Sequence, residues 1–385
     1  MKIIRTFHPV GQGAFYSERF YADGEQQARH NIIFDCGTQK GGVNKGKSLV
    51  KQAYDANDTI DYLFISHLDY DHISLVDTLL KSVKAVRRIV LPLITVEELM
   101  IVMAYHQLAG NGIVGFFRRI INHLRGNYDG DYLDSDYSVV FVGDEANNDT
   151  GNGTIWENGI NKQSVLAPDW VLIPYNVGYR SRKQVLIQQF SHVVTKPDFN
   201  SQIQNIGEAP VQNAEDLYRR LQDTGFVKKV IANTALKNDI KGAYEKLPGG
   251  TNENSLLLYS GPAEGNDDYI IWRDWYHTVW YRRDRAGCLY TGDSNCDLPG
   301  WRDKKFTNVW DNIGTIQLPH HGSLDSFDMA ANPIDKPYVF PVSCGSENSY
   351  GHPSGKVLAY LLTQKCRPVI VTEMAGTVFM ERIEG

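Results

Sequence analysis

Cysteine is scarce in this chain. Cys36, Cys288, Cys296, Cys344 and Cys366 are five in 385 residues, an odd number without a C-x-x-C pair, which argues against a disulfide framework or a zinc knuckle and for a reducing compartment. Positive charge is not in excess either. With 39 Lys and Arg against 45 Asp and Glu the formal charge is −6, so no global field draws the protein to nucleic acid or anionic lipid, and any such contact needs a local basic groove. Long apolar runs are missing: no stretch approaches the roughly 18 residues of a membrane span, and the first residues lack an apolar segment followed by a small-residue cleavage site. The expectation is a soluble, cytoplasmic protein with no membrane contact. At 42% hydrophobic the chain can still bury a large core, read as one catalytic fold carrying an insertion.

What is present concentrates in Tyr62 to His72, YLFISHLDYDH. Tyr62 to Ile65 is an apolar run of the kind a strand buried on both faces shows, and ligand-type side chains begin where it stops. If the backbone stays extended past Ser66, His67, Asp69 and Asp71 converge and His72 faces away, so one loop presents ligands to two neighbouring ions. Imidazole with carboxylate suits a borderline or hard divalent cation, with zinc, manganese and iron all open. The alternative is a polar loop whose acids are simply solvated.

H-x-D-x-D-H resembles the H-x-H-x-D-H signature of the metallo-β-lactamase superfamily, with Asp69 in place of the second His, a replacement typical of the β-lactamase-like domain of ComEC-type DNA-uptake proteins. Further motifs follow in the order of that family. They are Val10 to Gly13 (V-G-Q-G), Asp35-Cys36-Gly37, Asn252-Glu253-Asn254-Ser255 before an apolar strand, Thr291-Gly292-Asp293, Pro319-His320-His321-Gly322-Ser323, and Ser343 to Pro353, an S-x-G-x-x-N-x-Y-G-H-P pattern. The resemblance implies an α/β fold, an αββα sandwich of two mixed sheets with helices outside and metals in loops along one edge. It implies two divalent ions, zinc or manganese with magnesium possible, held by His67, Asp69, Asp71, His72, Asp293 and one of His320 and His321. Asp35 supports the loop by hydrogen bonding. Asn254-Ser255 stands where most members have a third His, so one usual ligand is missing. Asp71, Asp293, His352 and Asn254 form the expected catalytic set, His352 either donating a proton to the leaving oxygen or contacting phosphate. A structural His packed behind Pro353 is the plainer alternative.

Residues 1–94 and 248–385 read as the catalytic domain, and 95–247 as a largely helical insertion around core elements. Ser74 to Val86 has helical spacing, Thr95 with Glu98 forms a capping box opening a helix to about Leu108, and Gly115 to Leu124 carries another. His106 and His123 inside these helices read as core or surface filler. Gly143 to Gly153 reads as an exposed loop, Ala214 to Thr224 as a helix ended by Gly225, and Lys228 to Leu247 as one helix. Arg180, Arg182 and Lys183 form a basic cluster that is either a solvated face or a contact for substrate or a protein partner. Gly41, Gly46, Lys47 and Ser48 satisfy a P-loop pattern, but no strand directly precedes Gly41, so a basic loop near the site mouth is the expectation. The function expected is metal-dependent phosphodiester hydrolysis, by a nuclease on DNA or RNA. The alternatives are a small-molecule phosphodiesterase and a non-catalytic, metal-stabilised interaction or sensor module.

Overall fold

A computed structural model describes residues 1–125, 137–143, 154–156, 162–163, 169–176, 183–246, 255–263 and 269–385. The strands are β1 (Lys2–Phe7), β2 (Phe15–Tyr21), β3 (His30–Cys36), β4 (Thr59–Ile60), β5 (Tyr62–Phe64), β6 (Ala85–Val86), β7 (Arg88–Pro92), β8 (Ser138–Val142) and β9 (Thr154–Trp156), then β10 (Lys162–Gln163), β11 (Trp170–Asn176), β12 (Leu256–Pro262), β13 (Ile270–Trp275), β14 (Thr278–Arg283), β15 (Gly287–Tyr290), β16 (Ile313–Ile316), β17 (Val339–Ser343), β18 (Arg367–Val371) and β19 (Phe379–Glu384). One sheet runs β14-β13-β19-β1-β2-β3-β5-β7-β8-β9 and the other β10-β11-β12-β15-β16-β17-β18. Both are mixed: β1 and β2 pair antiparallel while β3, β5 and β7 are parallel, and β12 meets β15 antiparallel while β15 to β18 are parallel.

The helices are α1 (Val43–Ala53), α2 (Tyr70–Ile73), α3 (Val76–Ser82), α4 (Val96–Leu108), α5 (Val114–Leu124), α6 (Lys183–Val194), α7 (Phe199–Asn205), α8 (Ala214–Arg220), α9 (Thr224–Ala232), α10 (Thr234–Tyr244), the single turn α11 (Leu298–Gly300) and α12 (Gly355–Thr363). They cover the outer faces. β5 displays the layering in two residues: Leu63 packs outward with Val50, Leu79 and Phe117 of the helices, whereas Phe64 packs inward with Leu258, Tyr290 and Val339 of the facing sheet. A third cluster joins the outer face of the second sheet to Val357 and Leu361 of α12. The layers are therefore α, β, β, α, each held by burial of an apolar face.

Between the sheets lies a buried ionic lattice. Arg5 donates to Glu18 at 2.7 Å and to Glu381 at 2.6 Å, and Arg273 donates to the second oxygen of Glu381 at 2.7 Å. Tyr290 and Ser260 of the facing sheet donate to Glu18, so every charge has a partner and the two sheets are tied in one register.

The span 95–247 contributes to the core as well as to a separate cluster. β8 and β9 extend the first sheet and β10 and β11 the second, while α6 to α10 bury Phe190, Leu217, Val230 and Ile240 against Ile101, Ala104 and Leu108 of α4.

Several local expectations are corrected. The helix expected over Ser74 to Val86 stops at Ser82, because β-branched Val86 joins β6 alongside β4. Gly225 ends no helix: Asp223 accepts from the Gly225 and Phe226 amides and starts α9 there. The helix expected over Lys228 to Leu247 is two, broken at Asn233, whose side chain caps α10. Gly46 and Lys47 lie inside α1, and β3 ends at Cys36, so the P-loop context is absent. The Gly143 to Gly153 loop beyond Gly143 lies outside the described residues. Among the described residues no helix is long and apolar enough to cross a membrane.

Candidate metal centre

The first group of ligand-type residues follows β5. The extended reading of this loop is overturned at Tyr70, where the backbone turns into α2 with Asp69 as its N-terminal flank. Helical winding swings His72 back toward His67, and their rings lie 4.0 Å apart. His72 therefore faces the cluster and does not point away from it.

The other loops arrive from the ends of parallel strands in the facing sheet. Asp293 follows β15, and Gln317 holds its loop by accepting from the Thr291 and Gly292 amides at 3.0 and 3.2 Å. His320 and His321 follow β16 in left-handed backbone, φ 47° and 52°, a strained conformation of the kind that survives where surrounding contacts enforce it. His352 follows β17, and Asn348 pins its loop by donating to the Gly345 carbonyl at 2.7 Å and accepting from the His352 amide at 3.0 Å.

Close backbone approach explains the glycines of the first two motifs. A Cβ on Gly37 would stand 2.3 Å from the Asp71 carbonyl oxygen, and one on Gly13 2.8 Å from the same atom. The loop carrying the carboxylates leans directly on both.

Histidine tautomers are fixed from behind. His72 Nδ1 donates to Asp35 at 2.8 Å, and His321 Nδ1 donates to the Ser343 carbonyl at 2.8 Å. His67 Nδ1 lies 2.9 Å from Ser66 Oγ, which itself donates to Asp35 at 2.6 Å. With each Nδ1 occupied as a donor, each Nε2 lone pair is left to face the centre. Asp35 thus has the supporting position expected of it, in left-handed backbone at φ 55°.

The donor atoms converge on two overlapping groups, His67 with His72 and Asp293, and Asp71 with His72 and His321. Asp293 Oδ1 is 3.2 Å from His72 Nε2 and 3.8 Å from His321 Nε2, and His321 Nε2 is 3.4 Å from Asp71 Oδ2. Ligands about 2.1 Å from a tetrahedral ion stand about 3.4 Å from one another, so these separations fit cations between them. Buried atoms support the fit: Nε2 of His67, His72 and His321 and Oδ1 of Asp293 have no hydrogen-bond partner, a costly arrangement unless something else binds them. Without an ion, burial would raise the Asp293 carboxyl, but His72 and His321 as imidazolium cations hold it well below the ordinary range. A bound ion would take the place of their Nε2 protons.

Asp69 is nearby and more open, its carboxylate 3.8 Å from His67 Nε2 and 31% exposed. Of the two adjacent histidines, His321 is buried beside Asp71, while His320 is 30% exposed with Nε2 3.8 Å from Asp293 and Nδ1 2.6 Å from Ser326 Oγ. His352 lines the cavity above the centre, its ring 5.7 Å from that of His320. Asn254 lies outside the described residues, as do Arg180 and Arg182. Its neighbour Ser255 reaches within 3.5 Å of His67 Nδ1.

His106, read from sequence as filler, is part of the support. Its Nε2 donates to the Leu68 carbonyl at 2.8 Å, between His67 and Asp69, and its Nδ1 accepts from Asn111 at 2.8 Å. Nothing periodic marks such a residue, although the Asn five positions on is its partner. Asn348 and Gln317 lie within or beside motifs read from the sequence, but their supporting hydrogen bonds appear only in the fold.

The ligand loops form the floor of a cavity of about 600 Å³ whose walls come from α4, α6, α8 and α10. Gln39 and Lys40 line it as well, whereas the basic loop expected over Gly41 to Ser48 is a short turn running into α1. No curated protein matches the chain. The architecture is the αββα sandwich of the metallo-β-lactamase fold, and residues 26–149, which carry Asp35 and the H-x-D-x-D-H loop, match the family model of the metallo-beta-lactamase superfamily.

Proposed function

We propose that this protein is a metal-dependent hydrolase that cleaves phosphodiesters with two divalent ions, with nucleic acid as its substrate class. The superfamily is generally one of metal-dependent hydrolases, and the observation that carries the reading is the donor set itself: carboxylates of Asp69, Asp71 and Asp293 around three buried imidazoles whose Nε2 atoms are unpartnered. Such a mixed set of imidazole and carboxylate suits zinc or manganese and admits magnesium. β-Lactam and thioester hydrolysis are disfavoured, because members of those types keep a His where Asp69 stands. Asp69 and the Asn254-Ser255 pair in the sequence resemble the ComEC-type branch and favour nucleic acid.

Two bound ions would supply Lewis-acid chemistry, polarising a phosphoryl oxygen and making water more acidic. The chain's own residues do the rest. Asp71, His72, Asp293 and His321 would hold those ions at the cavity floor, where the reacting phosphate would meet them. His352, half-buried with Nδ1 unpartnered, is the donor we assign to the departing oxygen, and it would have to gain its proton in the loaded site because burial, His321 and His320 lower its pKa. Water adds to phosphorus, one P–O ester bond breaks, and a phosphate monoester and an alcohol leave.

The test is hydrolysis of bis-p-nitrophenyl phosphate and manganese-dependent release of nucleotides from linear DNA. Asp71→Ala and Asp293→Ala are each expected to abolish both while leaving circular dichroism unchanged, and wild-type rates in either variant would remove the site from consideration. Turnover of the chromogenic ester with no nucleic acid cleaved would favour the small-molecule reading. Inactivity on both with metal bound would favour the sensor module.

A further inference from the structure

The cavity above the ligand loops has a composition of its own. Its floor is His67, Asp69, Asp71 and Asp293, and its opposite wall is built by Ile101 and Tyr105 of α4, Leu186 of α6, Tyr218 of α8 and Tyr244 of α10. Three of those five side chains come from helices beyond the segment that matches the superfamily. We infer that this cavity is a subsite for one nucleoside-sized organic group esterified to the reacting phosphate, so that the enzyme accepts single-stranded ends or small nucleotide diesters and not the interior of a duplex. The inference rests on the phosphodiester reading above.

Size, surface and charge carry it. About 600 Å³ is within the range of pockets that enclose a small molecule, roughly 300–1,000 Å³. The wall is largely apolar and aromatic: Tyr105, half-buried and lining the cavity, is braced against Tyr244 with ring centroids 5.3 Å apart, and offers an aromatic ring to a base. Along a surface that tracked a polymer, uncompensated Lys and Arg would be expected. Among the described residues the wall lysines are paired, Lys183 with Glu97 at 3.1 Å and Lys241 with Glu245 at 2.7 Å. Lys40 also lines the cavity and donates to the Ala109 carbonyl at 2.9 Å. Tyr105 and Leu186 line the same cavity as the ligand loops, so on this inference they would meet the organic group of a bound diester.

The experiment uses the manganese-loaded protein and two readouts. In equilibrium binding, thymidine 5′-monophosphate should bind roughly tenfold or more tighter than methyl phosphate, the difference a stacked base makes. Leu186→Trp, which fills the cavity, and Tyr105→Ala, which removes the stacking face, should each bring that ratio toward one. In turnover, a linear single-stranded oligonucleotide should be degraded from an end and a closed circle of the same sequence left intact, while faster cleavage of thymidine 5′-p-nitrophenyl phosphate than of the oligonucleotide would identify a small diester as the source of the group. Equal affinities for the two monophosphates, or a circle cut as fast as the linear strand, would overturn the inference and leave phosphodiester hydrolysis standing. Failure to hydrolyse bis-p-nitrophenyl phosphate at all would overturn that reading and this one together.

Discussion

Asp69 occupies the position where the common family pattern has imidazole, and it stands 3.8 Å from His67 Nε2 on the open side of the first group. A carboxylate is harder than imidazole and adds negative charge, moving that group away from zinc's nitrogen-rich preference toward oxygen-loving ions. Asp69→His is expected to raise zinc content and shift the metal preference of the rate from manganese toward zinc. Stripping the metals and reconstituting wild type and variant at matched occupancy measures this, and an unchanged preference would take Asp69 out of the centre. His106 makes a second test at this scale. Burial lowers its pKa to about 4, against an ordinary value near 6.5, despite the hydrogen bond to Leu68. The unfolded chain therefore takes up the proton first, so the stability of the neutral ring is complete above pH 6.5 and is lost as pH falls toward 4, a total of about 3 kcal/mol. Urea unfolding of the metal-free protein between pH 6.5 and 4 should show a shallower loss of stability in His106→Gln, whose amide can still donate to Leu68, than in wild type, the remaining slope coming from other buried histidines such as His8 and His67. His106→Leu leaves the carbonyl unpaired, at a cost of about 1–3 kcal/mol, and should weaken metal binding as well.

Among the elements, α4 joins the fold to the cavity. Thr95 Oγ1 accepts from the Glu98 amide at 3.2 Å and Glu98 Oε2 accepts from the Thr95 amide at 3.1 Å, while Ile101, Tyr105 and His106 face the cavity from later turns. Thr95→Ala should cost about 1 kcal/mol in denaturant unfolding by fraying the first turn. Metal affinity should persist, because His106 sits three turns further on; its loss would mean that α4 moves as one piece. This capping box was legible because its two residues are three apart and bond to each other. The turns at Asp223 and Asn233 depend on one side chain each, and no spacing separates such a cap from an ordinary polar residue within a helix. The loop after β5 misled for a related reason: alternation holds only while the backbone stays extended, and the polar loop itself carries no period to announce α2.

At the scale of the molecule, the candidate ligands divide between the sheets, His67, Asp71 and His72 following β5 in one, Asp293 and His321 following β15 and β16 in the other. A bound ion would thus tie the two layers together at the edge, far along the chain from the first motif. Adding manganese at about a hundred times its dissociation constant should stabilise the fold by about 2.7 kcal/mol per site, read as a rise in thermal midpoint that chelation reverses. Asp293→Ala should lose most of that rise, and an unchanged midpoint on metal addition would argue against binding between the sheets. Which residue types gather, and in what order, was determined by the sequence alone: ligand side chains placed directly after apolar strands, with glycines where the backbone must approach Asp71. Those are local constraints, carried by neighbouring residues. The choice of His321 beside Asp71, the turn of His72 toward His67, the support from His106, and the cavity wall assembled from α4, α6, α8 and α10 were decided only in three dimensions. Each is a contact between segments distant in the chain, set by how apolar faces pack, and residues brought together in that way leave no spacing in the sequence to read.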